Sequence, residues 1–171
     1  MQPRTCMRSA FALSAAMFLG TAAMAADLPK EGTFSGSYYA FGTFKATRVG
    51  KDLLLGVFDD NGPSLGNGLL DHTTWHCWGL ANFVNGVGAP HGSCVATDPA
   101  GDQISFDFEQ EKWSLATGKN VHETAKITGG TGKFAGISGG FPWVVHVNEF
   151  RTAVEGTYAV YATYQGSYKL P

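Results

Sequence analysis

The sequence has little positive charge and few long apolar runs. Of its 171 residues, 12 are Lys or Arg and 14 are Asp or Glu, which gives a formal net charge of −2. Nucleic-acid binding needs a basic surface, so this balance argues against a nucleic-acid partner. With 44% hydrophobic and 15% charged residues, the chain also falls outside the composition of disordered proteins.

The longest apolar run belongs to an N-terminal leader. Arg4 and Arg8 precede the apolar residues 10–20, and Ala23-Met24-Ala25 provides the small residues of a cleavage site. This order is typical of a secretory signal peptide, and the run is too short to span a membrane. We therefore predict a signal peptide over residues 1–26, a single domain over residues 27–171, a periplasmic or secreted location, and no membrane association once the leader is removed.

The rest of the chain lacks the 3.6-residue apolar period of a helix. Short alternating runs are instead interrupted by Gly, Asn, Asp and Pro, which predicts an all-β fold. The alternation is cleanest at residues 102–109, where Ile104, Phe106 and Phe108 would share one face. Strands are predicted at residues 33–47, 52–58, 69–78, 94–97, 102–109, 121–128, 141–147 and 153–169, with a turn at residues 59–63.

The first and last predicted strands are long and rich in aromatic residues, so they can pair with each other. Such pairing closes a sheet into a barrel and removes its exposed edges. A sandwich has similar strand spacing, but the expectation is a closed antiparallel eight-stranded β-barrel. A barrel of this size is either filled by side chains or holds one small ligand.

Of the three cysteines, Cys6 lies in the leader, which leaves Cys77 and Cys94. The residues between them include Asn85-Gly86 and Pro90, which favour turns between two antiparallel strands. An even number of cysteines in an exported chain favours a disulfide. Closing a loop of this length stabilises the fold by about 3 kcal/mol in the chain-entropy account.

Several motifs that suggest chemistry fail on geometry or context. His76 and Cys77 are adjacent in a strand and point to opposite faces, so they do not form a zinc set with His91 and Cys94. Residues 59–62 lack the spacing of a calcium loop. Residues 136–140 match G-x-S-x-G, but a strand follows them instead of a helix. No metal site and no cofactor are predicted.

Aromatic residues are the main candidates for a ligand site. We select Tyr38, Phe106, Trp143 and Tyr158 as ligand-binding residues of the barrel interior. A wider aromatic set has the same potential, but its members could equally fill the core: Phe44, Trp78, Trp113 and Tyr164.

Carboxylates in the predicted strands are the candidates for acid–base chemistry. One that faced an apolar interior would have a raised pKa and could act as a general acid or base. The sequence does not say which strand face points inward, so five remain open: Asp107, Glu109, Glu123, Glu149 and Glu155.

Two segments carry a family resemblance. Residues 101–105 read GDQIS, and residues 125–136 read AKITGGTGKFAG, with Gly139 following. Together they resemble the superfamily of allene oxide cyclases and dirigent proteins, which are calycin-like β-barrels. The resemblance implies an eight-stranded barrel that is often a dimer or trimer, with an apolar interior for a lipid-like or phenolic compound and no cofactor. It identifies no catalytic residue, and shared fold does not carry function.

Three functions remain compatible with the sequence. The leading expectation is an exported barrel that binds a small apolar or aromatic molecule and can form a homodimer or homotrimer. The alternative is a cofactor-independent cyclase or isomerase acting on a lipid-like or phenolic substrate, which needs a buried acid–base group. The third is a structural or interaction barrel with a filled core.

Overall fold

The computed structural model describes residues 28–171, so the predicted signal peptide lies outside the described residues. Eleven strands are present: β1 (Glu31–Val49), β2 (Leu53–Asn67), β3 (Thr73–Leu80), β4 (Phe83–Val84), β5 (Val87–Gly88), β6 (His91–Thr97), β7 (Gln103–Gln110), β8 (Trp113–Ser114), β9 (Asn120–Gly130), β10 (Ser138–His146) and β11 (Thr157–Lys169). One short 3-10 turn covers Gly132–Phe134. Among the described residues, no helix is long and apolar enough to cross a bilayer.

Eight of these strands form the barrel wall, in the order β1-β11-β10-β9-β7-β6-β3-β2, and β2 pairs back onto β1. Every pairing is antiparallel, and the predicted pairing of the first and last strands is confirmed from Glu31 opposite Lys169 to Thr43 opposite Thr157. The remaining strands, β4, β5 and β8, form a small ribbon at one end. The fold is a closed eight-stranded β-barrel, as the sequence predicted.

The second strand differs most from its sequence prediction. Residues 59–63 were predicted as a turn, but β2 continues through them. Asp60 lies opposite Gly42 of β1 on one side and Cys77 of β3 on the other. A residue held in two ladders has its backbone groups bonded as strand, and this outweighs the turn preference of Asp, Asn, Gly and Pro.

The other strands begin and end within a few residues of their predictions, with two larger shifts. The third strand begins at Thr73 instead of residue 69, because Leu69 and Leu70 bury their side chains in the loop before it. The last strand begins at Thr157 instead of residue 153. In both cases the apolar residues that suggested strand lie in a loop instead.

One half of the barrel interior is filled by packed side chains around Trp75, which is fully buried. Its ring stacks on Tyr38 at 4.6 Å between centroids and meets Phe106 edge-on at 5.0 Å. Its indole nitrogen donates to Thr73 Oγ1 at 2.7 Å, so its polar atom is paired. Other residues fill the same half: Phe34, Leu70, Ile104, Ile127, Phe141 and Tyr164.

The glycine-rich segment that carries the family resemblance closes this filled end. Phe134 is buried there as part of the core. Gly132 has φ 52, and a Cβ at this position would lie 1.8 Å from Asp102 Oδ1. Only glycine fits such a close approach in the left-handed region. The fold of this segment, residues 129–136, which we call the plug, therefore explains the motif.

The predicted disulfide is confirmed. Cys77 of β3 and Cys94 of β6 are directly opposite each other, with their Cα atoms 4.1 Å apart. Both side chains are buried on the inner face of the barrel wall. The bond therefore links two adjacent strands of the barrel wall, β3 and β6.

Candidate functional site

The half of the barrel opposite the plug contains a cavity of about 460 Å³. Its wall is mainly aromatic and aliphatic and includes Phe44, Phe58, Phe108, Val145, Val160 and Ala162. Cavities that hold small molecules typically measure about 300–1,000 Å³ and have mostly apolar walls with a few polar groups. The open half of this barrel has the size and character of such a site.

Four hydrogen-bonded segments form a collar at this end of the barrel: residues 49–53, 81–90, 111–119 and 147–156. The last three contribute side chains to the cavity wall. Backbone hydrogen bonds of 2.7–2.9 Å link each segment to the next and the last one to β1. They run from Asn85 N to Asp52 O, from Leu115 N to Gly86 O, from Val147 N to Lys119 O and from Phe44 N to Gly156 O. These hydrogen bonds connect the loops of the collar to one another and to the barrel wall.

Asp60 is one of two buried carboxyl groups that line this cavity, and its residue is 6% exposed. Tyr38 donates from its hydroxyl to Asp60 Oδ1 at 2.6 Å, and the Tyr158 hydroxyl donates to Oδ2. Burial raises the pKa of Asp60, and the two phenol donors oppose that rise by stabilising the charged form. Each oxygen of the Asp60 carboxyl accepts one of these hydrogen bonds, so the group acts as an acceptor through both oxygens.

The two tyrosines are held in their protonated form by the same contacts. Burial raises the pKa of both Tyr38 and Tyr158, and the adjacent Asp60 charge raises it further. A phenol whose ionisation is opposed in this way remains a hydrogen-bond donor at neutral pH. The three side chains come from β1, β2 and β11, and they meet because β1 lies between the other two strands.

Glu123 is the second buried carboxyl group, and its residue is 4% exposed. Burial raises the pKa of Glu123 well above the ordinary value of 4.5, and the negative charge of Asp60 raises it further. Hydrogen bonding from Gln110 and from the Trp143 indole opposes this rise. Two nearby carboxyl groups in an apolar site do not both ionise readily. Burial and the neighbouring Asp60 charge therefore both favour the neutral form of Glu123.

The orientation of the Glu123 carboxyl is fixed by Gln110 and Trp113. The indole nitrogen of Trp113 donates to Gln110 Oε1 at 2.8 Å, and an indole N–H can only donate. This contact identifies the amide oxygen of Gln110 and leaves its NH₂ group to donate to Glu123 Oε1 at 2.5 Å.

Two polar atoms at this site have no hydrogen-bond partner among the described residues. They are Glu123 Oε2 and Trp143 Nε1, and both are shielded from solvent. Glu123 of β9 and Trp143 of β10 are opposite each other across the sheet, and both line the cavity. The Trp143 indole nevertheless acts as a donor towards the Glu123 carboxyl and opposes the rise in its pKa. The two groups are therefore polar neighbours of each other, outside ideal hydrogen-bond geometry.

The four aromatic residues selected from the sequence all lie inside the barrel, but they do not form one group. Tyr38, Trp143 and Tyr158 line the cavity. Phe106 is buried in the filled half against Trp75 and does not line the cavity. That any of the four contacts a ligand stays a prediction.

The wider aromatic and acidic candidates are divided by strand face. Trp78 is 41% exposed and points outward, because Trp75 and Cys77 take the inward positions of β3. Phe44 and Trp113 line the cavity, whereas Tyr164 is buried and its hydroxyl bonds Ser64 Oγ at 2.6 Å.

Among the acidic candidates, only Glu123 faces the interior. Asp107 and Glu109 are exposed on the outer face of β7. Glu149 and Glu155 were predicted in strands, but they lie in the exposed segment between β10 and β11.

Sequence reasoning missed Asp60 and Gln110. Asp60 was assigned to a turn, and only the alternation of β2 as a continuous strand, in step with Phe58 and Ser64, would have placed it inside. Gln110 is the last residue of β7 and follows the parity of Phe106 and Phe108, so strand alternation extended by one pair would have found it.

Within residues 28–171, no group of three or more His, Cys, Asp or Glu side chains is placed to hold a metal ion. The two cysteines considered for zinc are joined to each other. The polar side chains that line the cavity carry carboxyl, phenol, amide, indole and hydroxyl groups.

Comparison with known proteins adds a likeness of fold. No protein-family model matches the sequence, and no curated protein matches it. One solved structure, of a pterocarpan synthase dirigent protein, is similar over 91% of this chain and 100% of that chain. Sequence identity to it is 12% and the TM-score is 0.44, so the similarity concerns the fold alone and carries no activity.

Proposed function

We propose that this protein is an exported β-barrel that binds a small, mainly apolar or aromatic molecule in the open half of its interior. One observation supports this above the others. The interior is filled by side chains at the plugged end, but it leaves an apolar cavity of about 460 Å³ at the collar end. A barrel with only a structural role would pack both halves to interior density.

Native mass spectrometry of protein purified gently from its own compartment tests the proposal directly. The expected result is a reproducible extra mass in the small-molecule range. Titration with 2-ethylnaphthalene, followed by the fluorescence of the cavity tryptophans Trp113 and Trp143, tests apolar binding without knowledge of the natural ligand. Absence of both signals would overturn the proposal.

A matched pair of variants assigns the binding to the cavity. Ala162 is buried and lines the cavity, and its neighbour Thr163 is exposed on the outer face of β11. Ala162→Leu is expected to weaken naphthalene binding at least tenfold by occupying the space, whereas Thr163→Leu leaves it unchanged. Overpacking costs about 1–3 kcal/mol, so circular dichroism should verify the fold, and Val160→Phe provides a second blocking variant.

A cofactor-independent isomerase or cyclase is the second candidate, and the buried acid Glu123 beside Asp60 favours it. A neutral carboxylic acid in an apolar cavity can protonate a substrate oxygen, and the adjacent anion stabilises the positive charge that develops. For isomerisation the balance is complete within the site: one proton passes from Glu123 to the substrate, and one returns to Glu123 from a substrate carbon.

The test of this second candidate uses the molecule that copurifies. Incubation in D₂O is expected to give an isomer that contains solvent deuterium, and Glu123→Gln should abolish that conversion while the ligand remains bound. Conversion at an unchanged rate in Glu123→Gln would remove Glu123 from the chemistry. A bound molecule that never changes would leave the protein as a carrier.

The export in this proposal is supported by the leader pattern and by the Cys77–Cys94 disulfide. The intact mass of protein from the native compartment tests it. Loss of residues 1–26 with the disulfide formed is expected, whereas a full-length reduced chain would contradict it.

A further inference from the structure

Exposed apolar side chains are concentrated in the collar, the four hydrogen-bonded segments at the cavity end of the barrel. Each segment carries at least one of them, and together they are Val49, Val84, Val87, Leu115, Phe150 and Val154. These are six of the thirteen large apolar side chains exposed among the described residues, although the collar is less than a quarter of that chain. Single exposed apolar residues are ordinary, but a group of them at one end of a molecule indicates an interaction surface.

The β4–β5 hairpin shows that this exposure is built into the fold. Val84 and Val87 lie opposite each other across the Asn85-Gly86 turn, so both project from the same face. On the other face, Phe83 is buried and its ring meets Trp113 edge-on at 5.3 Å. Backbone hydrogen bonds also join the hairpin to both neighbouring segments of the collar, so its outward apolar face is fixed.

The collar carries no net charge, whereas the rest of the described chain is acidic. Four basic residues in the collar are balanced by four acidic ones: Lys51, Lys112, Lys119 and Arg151 against Asp52, Glu111, Glu149 and Glu155. Residues 81–90, which include the hairpin, contain no charged side chain. The remainder of residues 28–171 has six basic and nine acidic residues. An apolar, charge-balanced end on an acidic molecule fits a partner surface that is apolar and carries no net charge.

The collar surface is continuous with the cavity. Leu115 and Phe150 are part of the cavity wall, and their residues are also 40% and 49% exposed. The cavity itself is not enclosed. An apolar molecule in water partitions into lipid, so a bilayer is the surface from which a ligand of the proposed class would be taken up.

We propose that the collar docks this barrel onto the surface of a lipid bilayer, with Val84, Val87 and Val154 entering the interfacial region. The choice of lipid as the partner rests on the proposed ligand-binding function. Apolar side chains on separate loops can enter a lipid interface without the matched surface shape that a protein partner needs. The exposed wall residues Tyr39 and Phe41 lie outside the collar and stay available for contact between copies of the chain.

The docking surface differs from what the sequence alone predicts. The prediction of no membrane association depends on the absence of a long apolar run after the leader. A surface assembled from four separate loops requires no such run, because each loop contributes only one or two side chains. The collar would therefore lie on a bilayer and not cross it.

Flotation of the mature protein with phosphatidylcholine vesicles tests the proposal. The protein is expected to float with the vesicles. Vesicles that also contain phosphatidylglycerol should bind it no better, because the collar has no net charge to attract an anionic surface. Flotation that requires phosphatidylglycerol would contradict the proposal.

Matched variants locate the docking surface. Val84→Glu and Val154→Glu place a carboxylate in two different collar segments, and neither residue lines the cavity. Each is expected to lower the vesicle partition coefficient about tenfold, because the charge must stay in water. Leu65→Glu is the control, since Leu65 is 49% exposed on β2 outside the collar and should not affect flotation. All three variants should bind 2-ethylnaphthalene as the unaltered protein does when no vesicles are present.

The outcomes distinguish this inference from the binding function. Absence of flotation in a protein that binds 2-ethylnaphthalene would overturn the docking surface and leave the binding function intact. Reduced flotation in both collar variants of a protein that does not bind 2-ethylnaphthalene would support the docking surface and overturn the function. Equal flotation of Leu65→Glu and the collar variants would contradict the assignment to the collar. Collar variants that dissociate an oligomer without changing flotation would identify a protein interface instead.

Discussion

At the residue scale, the site contains two buried carboxyl groups whose pKa values are both raised by burial but whose hydrogen-bond partners differ. Asp60 accepts from two phenols, which stabilise its charge. Glu123 accepts a hydrogen bond from the Gln110 amide, and the nearby negative charge of Asp60 destabilises the ionised form of Glu123. Buried carboxyl groups with perturbed pKa values are frequent where proteins bind or transform ligands, so this pair supports the cavity as the candidate functional site.

The raised pKa of Glu123 predicts a specific pH dependence of stability. The folded state binds this proton more tightly than the unfolded state, so the stabilisation is complete below the ordinary pKa and is lost as the pH rises towards the folded pKa. Glu123→Gln cannot ionise and avoids that loss. Its free energy of unfolding relative to the unaltered protein should therefore grow by up to about 1.4 kcal/mol per pH unit above pH ~4.5.

Urea unfolding between pH 4 and pH 9 measures this difference. Glu109→Gln is the matched control, because Glu109 is exposed on the outer face of β7 and should show no such trend. A Glu123→Gln difference that stays constant over the whole range would contradict the assignment of Glu123 as a buried neutral acid.

At the scale of elements, β2 and β3 determine what faces the cavity. The continuation of β2 through residues 59–63 places Asp60 inside, where Gly42 on β1 leaves room for it. A Cβ at Gly42 would lie 2.4 Å from Asp60 Cβ, so the smallest residue is needed opposite the carboxyl group. The adjacent strand β3 is anchored to β6 by the disulfide beside this position.

The disulfide predicts a large contribution to stability. The variant Cys77→Ala/Cys94→Ala should lose about 3 kcal/mol of unfolding free energy, because the unfolded chain regains the freedom of the closed loop. Denaturant unfolding of the oxidised protein, the reduced protein and the double variant measures this. Alkylation without reductant should label neither cysteine, and two reactive thiols in the native protein would refute the bond.

At the scale of the whole molecule, closure of the barrel places the exposed apolar residues on its outer face. Tyr39 and Phe41 of β1 are 43% and 67% exposed, and Val57 and Leu80 lie opposite each other on β2 and β3. Outward apolar residues on neighbouring strands are frequent where proteins associate. They support the expectation of a homodimer or homotrimer, which stays a prediction.

Native mass spectrometry tests this expectation together with ligand retention. A dimer or trimer is expected, and Phe41→Glu should shift it towards the monomer, because the charge would have to be desolvated in the interface. Lys45→Glu is a control at an exposed position on the same face of β1. A monomer at all micromolar concentrations would contradict the prediction.

The sequence by itself determined the class of the fold, the closure of the barrel by its first and last strands, and the disulfide. These follow from local information, since two-residue alternation, turn residues and an even cysteine count act over short distances. The alternation also predicts which residues share a strand face with Phe106 and with Glu123, but it does not say whether that face points into the barrel or out of it.

The tertiary structure decided which parity faces inward, where the filled half ends and which polar groups meet in the cavity. The sequence did not identify Asp60 as an inward residue, because its segment has the composition of a turn. The segment is a strand because it pairs with both β1 and β3. The sets Tyr38–Asp60–Tyr158 and Glu123–Gln110–Trp113 are held by hydrogen bonds between residues up to 98 positions apart. Such contacts depend on the register of the strands across the closed barrel, which no local stretch of residues encodes.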